Sequence, residues 1–116
     1  MRNIAMIPLI LDAVGLPLVS WRMGWMPSIV IQHGQRKQHS TEIIFGGVDD
    51  ISCPEFINLP KREPPSKYDR RIYNGNGKTV ATYNYMYQTL TVWHDGVSSV
   101  IILPEHTGIR VINTTC

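Results

Sequence analysis

Four histidines, two cysteines and nine carboxylates are the groups from which an active site in this 116-residue chain would first be built. Their spacing does not assemble one. His33, His39, His94 and His106 fall on loops and at a strand end, with no pair at the interval a helical metal site requires. Asp49 and Asp50 are adjacent, so a strand would point them to opposite faces, and a turn would use them to satisfy local backbone donors. His94 with Asp95 at a hairpin tip is likewise turn chemistry. Cys53 and Cys116 lie too far apart for the Cys-x-x-Cys pairs of a zinc or redox site. Free thiols are therefore the default reading. A disulfide would close a loop of about 60 residues, worth roughly 4 kcal/mol, but needs an oxidising compartment that nothing in the sequence indicates. No Gly-x-Ser-x-Gly elbow, Walker loop or dinucleotide fingerprint occurs, and Gly75 and Gly77 lack the following helix that a phosphate cradle needs. The expectation is a non-enzymatic chain with no catalytic residue, no cofactor and no metal.

Binding chemistry is better represented. Tyr83, Tyr85 and Tyr87 alternate in a β-prone run, where a period of two would set them in one row with Trp93. Tyrosines combine large stiff area with a polar tip, and they anchor protein partners or stack on bases. Upstream, Lys61, Arg62, Lys67, Arg70 and Arg71 surround Tyr68 in a basic, proline-rich segment that could track phosphates, with Glu55, Glu63 and Asp69 offsetting part of the charge. Trp21, Met23, Trp25 and Met26 form a third cluster. Only Arg22 accompanies it, too little charge to hold an anionic bilayer, so core packing or a protein contact explains it better.

The elements that position these residues read as β. Residues 1–26 form an extended or briefly helical apolar arm, interrupted too often by Pro8 and Pro17 for a long helix. Ser28 to Gln32 and Thr41 to Phe45 read as a hairpin with a longer loop. Residues 53–71 carry Pro54, Pro60, Pro64 and Pro65 and read as an extended crossing loop. Asn74-Gly75-Asn76-Gly77 is a strong turn signal. Asp95-Gly96 then fixes a two-residue hairpin in which Trp93 faces Ser98, Val92 faces Ser99, Leu90 faces Ile101 and Thr89 faces Ile102. Leu90, Val92, Val97, Ile101 and Leu103 make the core face. A last strand, Ile109 to Asn113, follows a turn at Glu105 to Gly108 and completes a three-strand meander. The run from Lys78 to His94 is about three times the mean strand length, so a break is expected. A one-residue bulge near Gln88 or Thr89 would send the tyrosines inward; an unbroken strand leaves them outside.

The whole predicts one domain over residues 1–116, mainly β, a small antiparallel sandwich or barrel-like fold with an extended apolar N-terminal arm. Charged residues are only 17% and hydrophobic ones 43%, which excludes disorder and leaves a surface poor in charge. The net charge of +2 neither requires nor excludes nucleic acid. Ile4 to Val19 is apolar, but Pro8, Asp12, Gly15 and Pro17 spoil both a membrane span and a signal peptide. The expected product is made without a cleaved signal peptide, in the cytoplasm, and then incorporated into a particle. The function these features imply is structural: an assembly subunit, of which a viral or phage particle component is one case, or a binder that blocks its partner. The partner is a protein or a second copy, contacted through Trp21, Trp25, Lys61, Arg62, Tyr68, Arg70, Arg71, Tyr83, Tyr85 and Tyr87. The alternative is a small β-barrel that binds single-stranded nucleic acid.

Overall fold

A computed structural model describes residues 6–23, 26–33, 39–46, 56–57, 67–94 and 97–115. The described residues are mainly strand, with no helix: β1 (Met6–Leu11), β2 (Pro17–Arg22), β3 (Ser28–His33), β4 (His39–Gly46), β5 (Phe56–Ile57), β6 (Asp69–Tyr73), β7 (Thr79–Asn84), β8 (Thr89–His94), β9 (Val97–Ile102) and β10 (Gly108–Thr115). Period-two patterning explains them. In β4, Thr41, Ile43 and Phe45 are buried while Ser40, Glu42 and Ile44 between them are half-buried. β-Branched residues, which fit a pleated surface, supply most inward positions.

The strands make two five-stranded antiparallel sheets, ordered β1-β2-β3-β4-β10 and β5-β9-β8-β7-β6. Val19, Trp21, Ile29, Ile31, Ile43 and Phe45 of the first sheet and Ile72, Ala81, Leu90, Val92 and Ile101 of the second belong to one buried cluster, which Leu103 extends just beyond β9. At one corner the sheets are tied through Asn113. Its Oδ1 accepts from the buried Thr41 Oγ1 (2.6 Å) and its Nδ2 donates to the Tyr73 carbonyl (3.4 Å). On the outer face of the first sheet, Glu42 accepts from Ser28 Oγ at 2.6 Å and pairs with Arg22 at 3.4 Å, which covers the fully buried serine.

The ten strands are two copies of one five-strand plan. β1–β4 and β6–β9 are each a four-strand meander, and the fifth strand of each half crosses over: β5 pairs with β9, β10 with β4. Pairing by pairing the halves correspond. Val19 opposite Ile31 matches Ala81 opposite Val92, and Ile29 opposite Ile43 matches Leu90 opposite Ile101. Phe45 N donates to Pro27 O as Leu103 N donates to Gln88 O. The first hairpin of each half is turned by the same device. Asp12 Oδ1 accepts from the backbone N–H of Val14 and Leu16, and Asn74 Oδ1 accepts from those of Asn76 and Lys78. Gly15 (φ +90°) and Gly77 (φ +82°), each three residues after the acceptor, take the left-handed conformation that closes the loop.

Several expectations change accordingly. The described part of the apolar arm is no arm and has no helical turn within β1: Met6 to Arg22 form the β1–β2 hairpin, and Leu9, Ile10, Leu18, Val19 and Trp21 give it its place in the core. The hairpin of β3 and β4 holds, as does the register of β8 on β9, pair for pair. The strand after Glu105 does not complete a three-strand meander, because β10 leaves β9 and pairs with β4. Within residues 53–71, Phe56–Ile57 and Asp69–Arg71 lie in strands at sheet edges, and β6 shows that the segment's end is no loop. Cys53, Cys116, Asp95, Gly96 and most of the proline-rich stretch lie outside the described residues.

Candidate functional site

The Lys78–His94 run breaks by reversal, not by a bulge. Asn84 Oδ1 accepts from the N–H groups of Met86 and Tyr87, both at 3.0 Å, and Gln88 adopts φ +57°. A short polar side chain that satisfies the donors of the next residues offers the backbone an alternative to the ladder. The three tyrosines therefore separate. Tyr83 stays in β7, half-buried against the core, while Tyr85 (45% exposed), Met86 (52%) and Tyr87 (72%) project from the β7–β8 turn.

Beside that turn lies the entry to β6. Tyr85 N donates to Tyr68 O at 3.2 Å, extending the β6–β7 ladder by one pair and fixing the two segments together. The rings of Tyr68 and Tyr85 meet edge to face, with centroids 5.7 Å apart and planes at 80°. Arg70 lies over the Tyr85 ring at 5.0 Å and Lys67 over the Tyr68 ring at 5.1 Å. The order is cation, ring, ring, cation. Each exposed cation–ring contact contributes about 0.5–1 kcal/mol, less than the roughly 2 kcal/mol of rotamer freedom in one Lys or Arg, so the contacts bias the four side chains toward this arrangement without locking them. Asn84 Nδ2 also donates to Asp69 Oδ1 at 3.1 Å, securing β6 to β7 at the base of the corner. Arg71, exposed, sits opposite Thr82 and so on the other face of β6 from Arg70, which sits opposite Tyr83.

The structure thus brings together Tyr68, Arg70, Tyr85 and Tyr87 of the residues expected to contact a partner, adds Lys67 and Met86, and sets Tyr83 behind them. Trp21 does not belong with them. It is 2% exposed and stacked on Phe45 with centroids 5.9 Å apart, because β2 is an inner strand whose odd positions face the core. Trp25, Lys61 and Arg62 lie outside the described residues.

A histidine pair went unseen in the sequence. His33 and His39 close the β3–β4 hairpin directly opposite each other, with rings 5.3 Å apart and nearly parallel at 22°. Burial, then the neighbouring His39, then Lys78 hold the His33 imidazole below its ordinary 6.5. From sequence both histidines fall in the loop between Ser28 to Gln32 and Thr41 to Phe45, a hairpin for which no register is set, so their pairing emerges only from the structure. Among the described residues no third histidine, cysteine or carboxylate joins them in a metal-binding group.

The Tyr68–Tyr85 corner offers ring edges, a guanidinium and an ammonium on an open surface. That chemistry recognises carboxylates, phosphates and apolar or aromatic side chains. No helix among the described residues is long and apolar enough to cross a membrane. No protein-family model, curated protein or solved structure matches the chain.

Proposed function

We propose that this chain is a non-enzymatic interaction module, a two-sheet β-sandwich acting as a subunit of a larger assembly, and that it contacts a protein partner through the Lys67–Tyr68–Arg70–Tyr85–Tyr87 corner. The observation that supports this most is the joint exposure of Tyr85, Met86 and Tyr87 beside Arg70. Tyrosine, methionine and arginine are the residues enriched at the centres of protein interfaces, and the Tyr68 and Tyr85 rings already rest against each other. The tip of the β1–β2 hairpin adds a second exposed apolar surface at Leu11, Val14 and Leu16. A photocrosslinker at Tyr87 in the native setting tests the reading. A discrete protein adduct that disappears in Arg70→Ala and Tyr85→Ala variants supports it, and labelling unaffected by either variant refutes it.

Single-strand nucleic-acid binding is the second reading, favoured by one observation: the tyrosines and the cations adjoin on a common open surface. Against it, Arg70 and Lys67 already occupy ring faces on which bases would stack. Titrating labelled oligonucleotides at several salt concentrations separates the readings. Two phosphate contacts by Lys67 and Arg70 would give a log–log salt slope of about −1.4 at roughly 0.7 per contact. No binding at low salt removes this alternative.

A further inference from the structure

Two five-stranded sheets have four edges, and among the described residues three of these are blunted in the ways that stop strands from adding. β1 carries Pro8, and its register shifts on both sides of Ile10. β6 carries Asp69, Arg70 and Arg71 and a register shift after Ile72. Among the described residues β5 spans only Phe56 and Ile57. β10 has none of these devices: it runs eight residues in unbroken one-to-one register with β4, and Arg110 is its only charge. Natural sheets rarely leave a long, regular, weakly charged edge open unless something pairs with it.

Which backbone groups β10 leaves open follows from the ladder. Phe45 N donates to Pro27 O at 2.9 Å, so Phe45 and, by alternation, Ile43 turn their backbone groups toward β3, while Ile44 and Glu42 turn theirs toward β10. Arg110 lies opposite Ile44, and Ile112 opposite Glu42. Those two residues of β10 therefore face β4. Ile109 and Val111 present N–H and C=O outward instead, where no strand pairs among the described residues. Side chains on both faces of the edge are partly uncovered, Val111 at 39% on the core-facing side and Ile112 at 37% on the outer side.

We propose that this edge pairs with the same edge of a second copy, joining two first sheets across a two-fold axis. A second copy fits because the edge is complementary to itself. A two-fold axis at Ile109 sets Ile109 against its own counterpart and Arg110 against Gly108. Val111 then meets Thr107, whose N–H already donates to Pro104 O at 3.3 Å, so the pairing rests on the reciprocal Ile109 bonds and on Val111 N–H donating to the Thr107 carbonyl. The two arginines then flank the axis, whereas an axis at Arg110 would oppose like charges directly. Beyond Ile112 the tie from Asn113 to Tyr73 brings β6 close, so the open stretch lies on the Gly108 side of that tie. A contact of a few residue pairs is smaller than the roughly 1,000 Å² of a stable interface, so the dimer is weak and concentration-dependent. The proposal deepens the assembly reading at a surface separate from the tyrosine corner, and variants of β10 leave that corner intact.

Light scattering and hydrogen exchange on the full chain test it. The mass should rise from 13.2 kDa toward twice that value with concentration. The amides of Ile109 and Val111 should slow in parallel, while those of Arg110 and Ile112 stay protected throughout. Val111→Pro removes an N–H that β4 does not use, so it should keep the β-type circular dichroism and abolish the mass increase. Ile112→Pro removes an N–H that faces Glu42 and should unfold the domain. A single mass at every concentration overturns the proposal, as does undiminished dimerisation of Val111→Pro. If Val111→Pro does not fold, exchange in the unaltered chain decides: Ile109 and Val111 amides that remain fast in the associated species refute edge pairing.

Discussion

Replacing Trp21 with alanine separates a core residue from a contact residue, because the two roles predict costs several-fold apart. Trp21 is 2% exposed, sits on the inward side of an inner strand and stacks on Phe45. Truncating a fully buried tryptophan removes its transfer free energy and leaves a cavity whose walls relax only in part, at about 3–5 kcal/mol. A 116-residue domain has roughly 6–17 kcal/mol of stability in total. The variant should therefore lose between about a sixth and most of it. At roughly 4 °C per kcal/mol for a chain of this length, the melting temperature should fall by about 12–20 °C. Urea unfolding followed by far-ultraviolet circular dichroism gives the free energy directly, and Trp21→Phe, which keeps a ring against Phe45, should cost less. A Trp21→Ala loss below about 1 kcal/mol would falsify the placement and return Trp21 to the surface.

Deleting residues 1–11 should unfold the domain or leave it barely stable, since Leu9 and Ile10 alone represent roughly 3–6 kcal/mol of apolar burial and the edge of the first sheet goes with them; a truncated chain with unchanged circular dichroism and melting point shows that β1 is dispensable. Gly77→Ala and Gly15→Ala should each cost about 1–2 kcal/mol, because both positions hold a left-handed φ, and an unaltered urea midpoint counts against the shared turn geometry. Because the folded state holds the His33 pKa below 6.5, the unfolded chain takes up the proton first as pH falls. Stability is thus full above about pH 6.5 and declines below it, more steeply than in His33→Gln; identical pH profiles of the two chains exclude His33 as a source of the decline.

Where local chemistry decides the structure, the residues announced it. The β8–β9 register follows from a two-residue connection flanked by alternating apolar positions, and Leu90, Val92, Ile101 and Leu103 are buried as that alternation requires. Asn74-Gly75-Asn76-Gly77 turns the chain as its composition implies. Long-range choices left no such mark. Ile109 to Asn113 would suit either sheet, and only the geometry of the whole fold sends β10 to β4. The doubled plan escaped notice because matched positions share a class of residue and seldom an identity: Trp21 with Tyr83, Ile29 with Leu90, Phe45 with Leu103. At the candidate site, composition pointed to Tyr85, Tyr87, Arg70 and Tyr68. Asn84 was the overlooked signal, since its carboxamide makes the turn that parts Tyr83 from the other two.

The exchange of fifth strands between the halves has a consequence for how the chain comes to be folded. Each four-strand meander can form from neighbouring residues, but β4 must wait for β10, and Gly46 finds its partner only in Gly108. Until then β4 exposes an unfilled hydrogen-bonding edge next to Ile43 and Phe45. Folding is therefore slow for so small a chain, since the decisive closure joins distant segments. It is also indivisible, because neither half completes a sheet without a strand from the other. What looks like two modules behaves as a clasp, each half holding the other's last strand, and loss of β10 undoes one of its two closures while β5 on β9 remains.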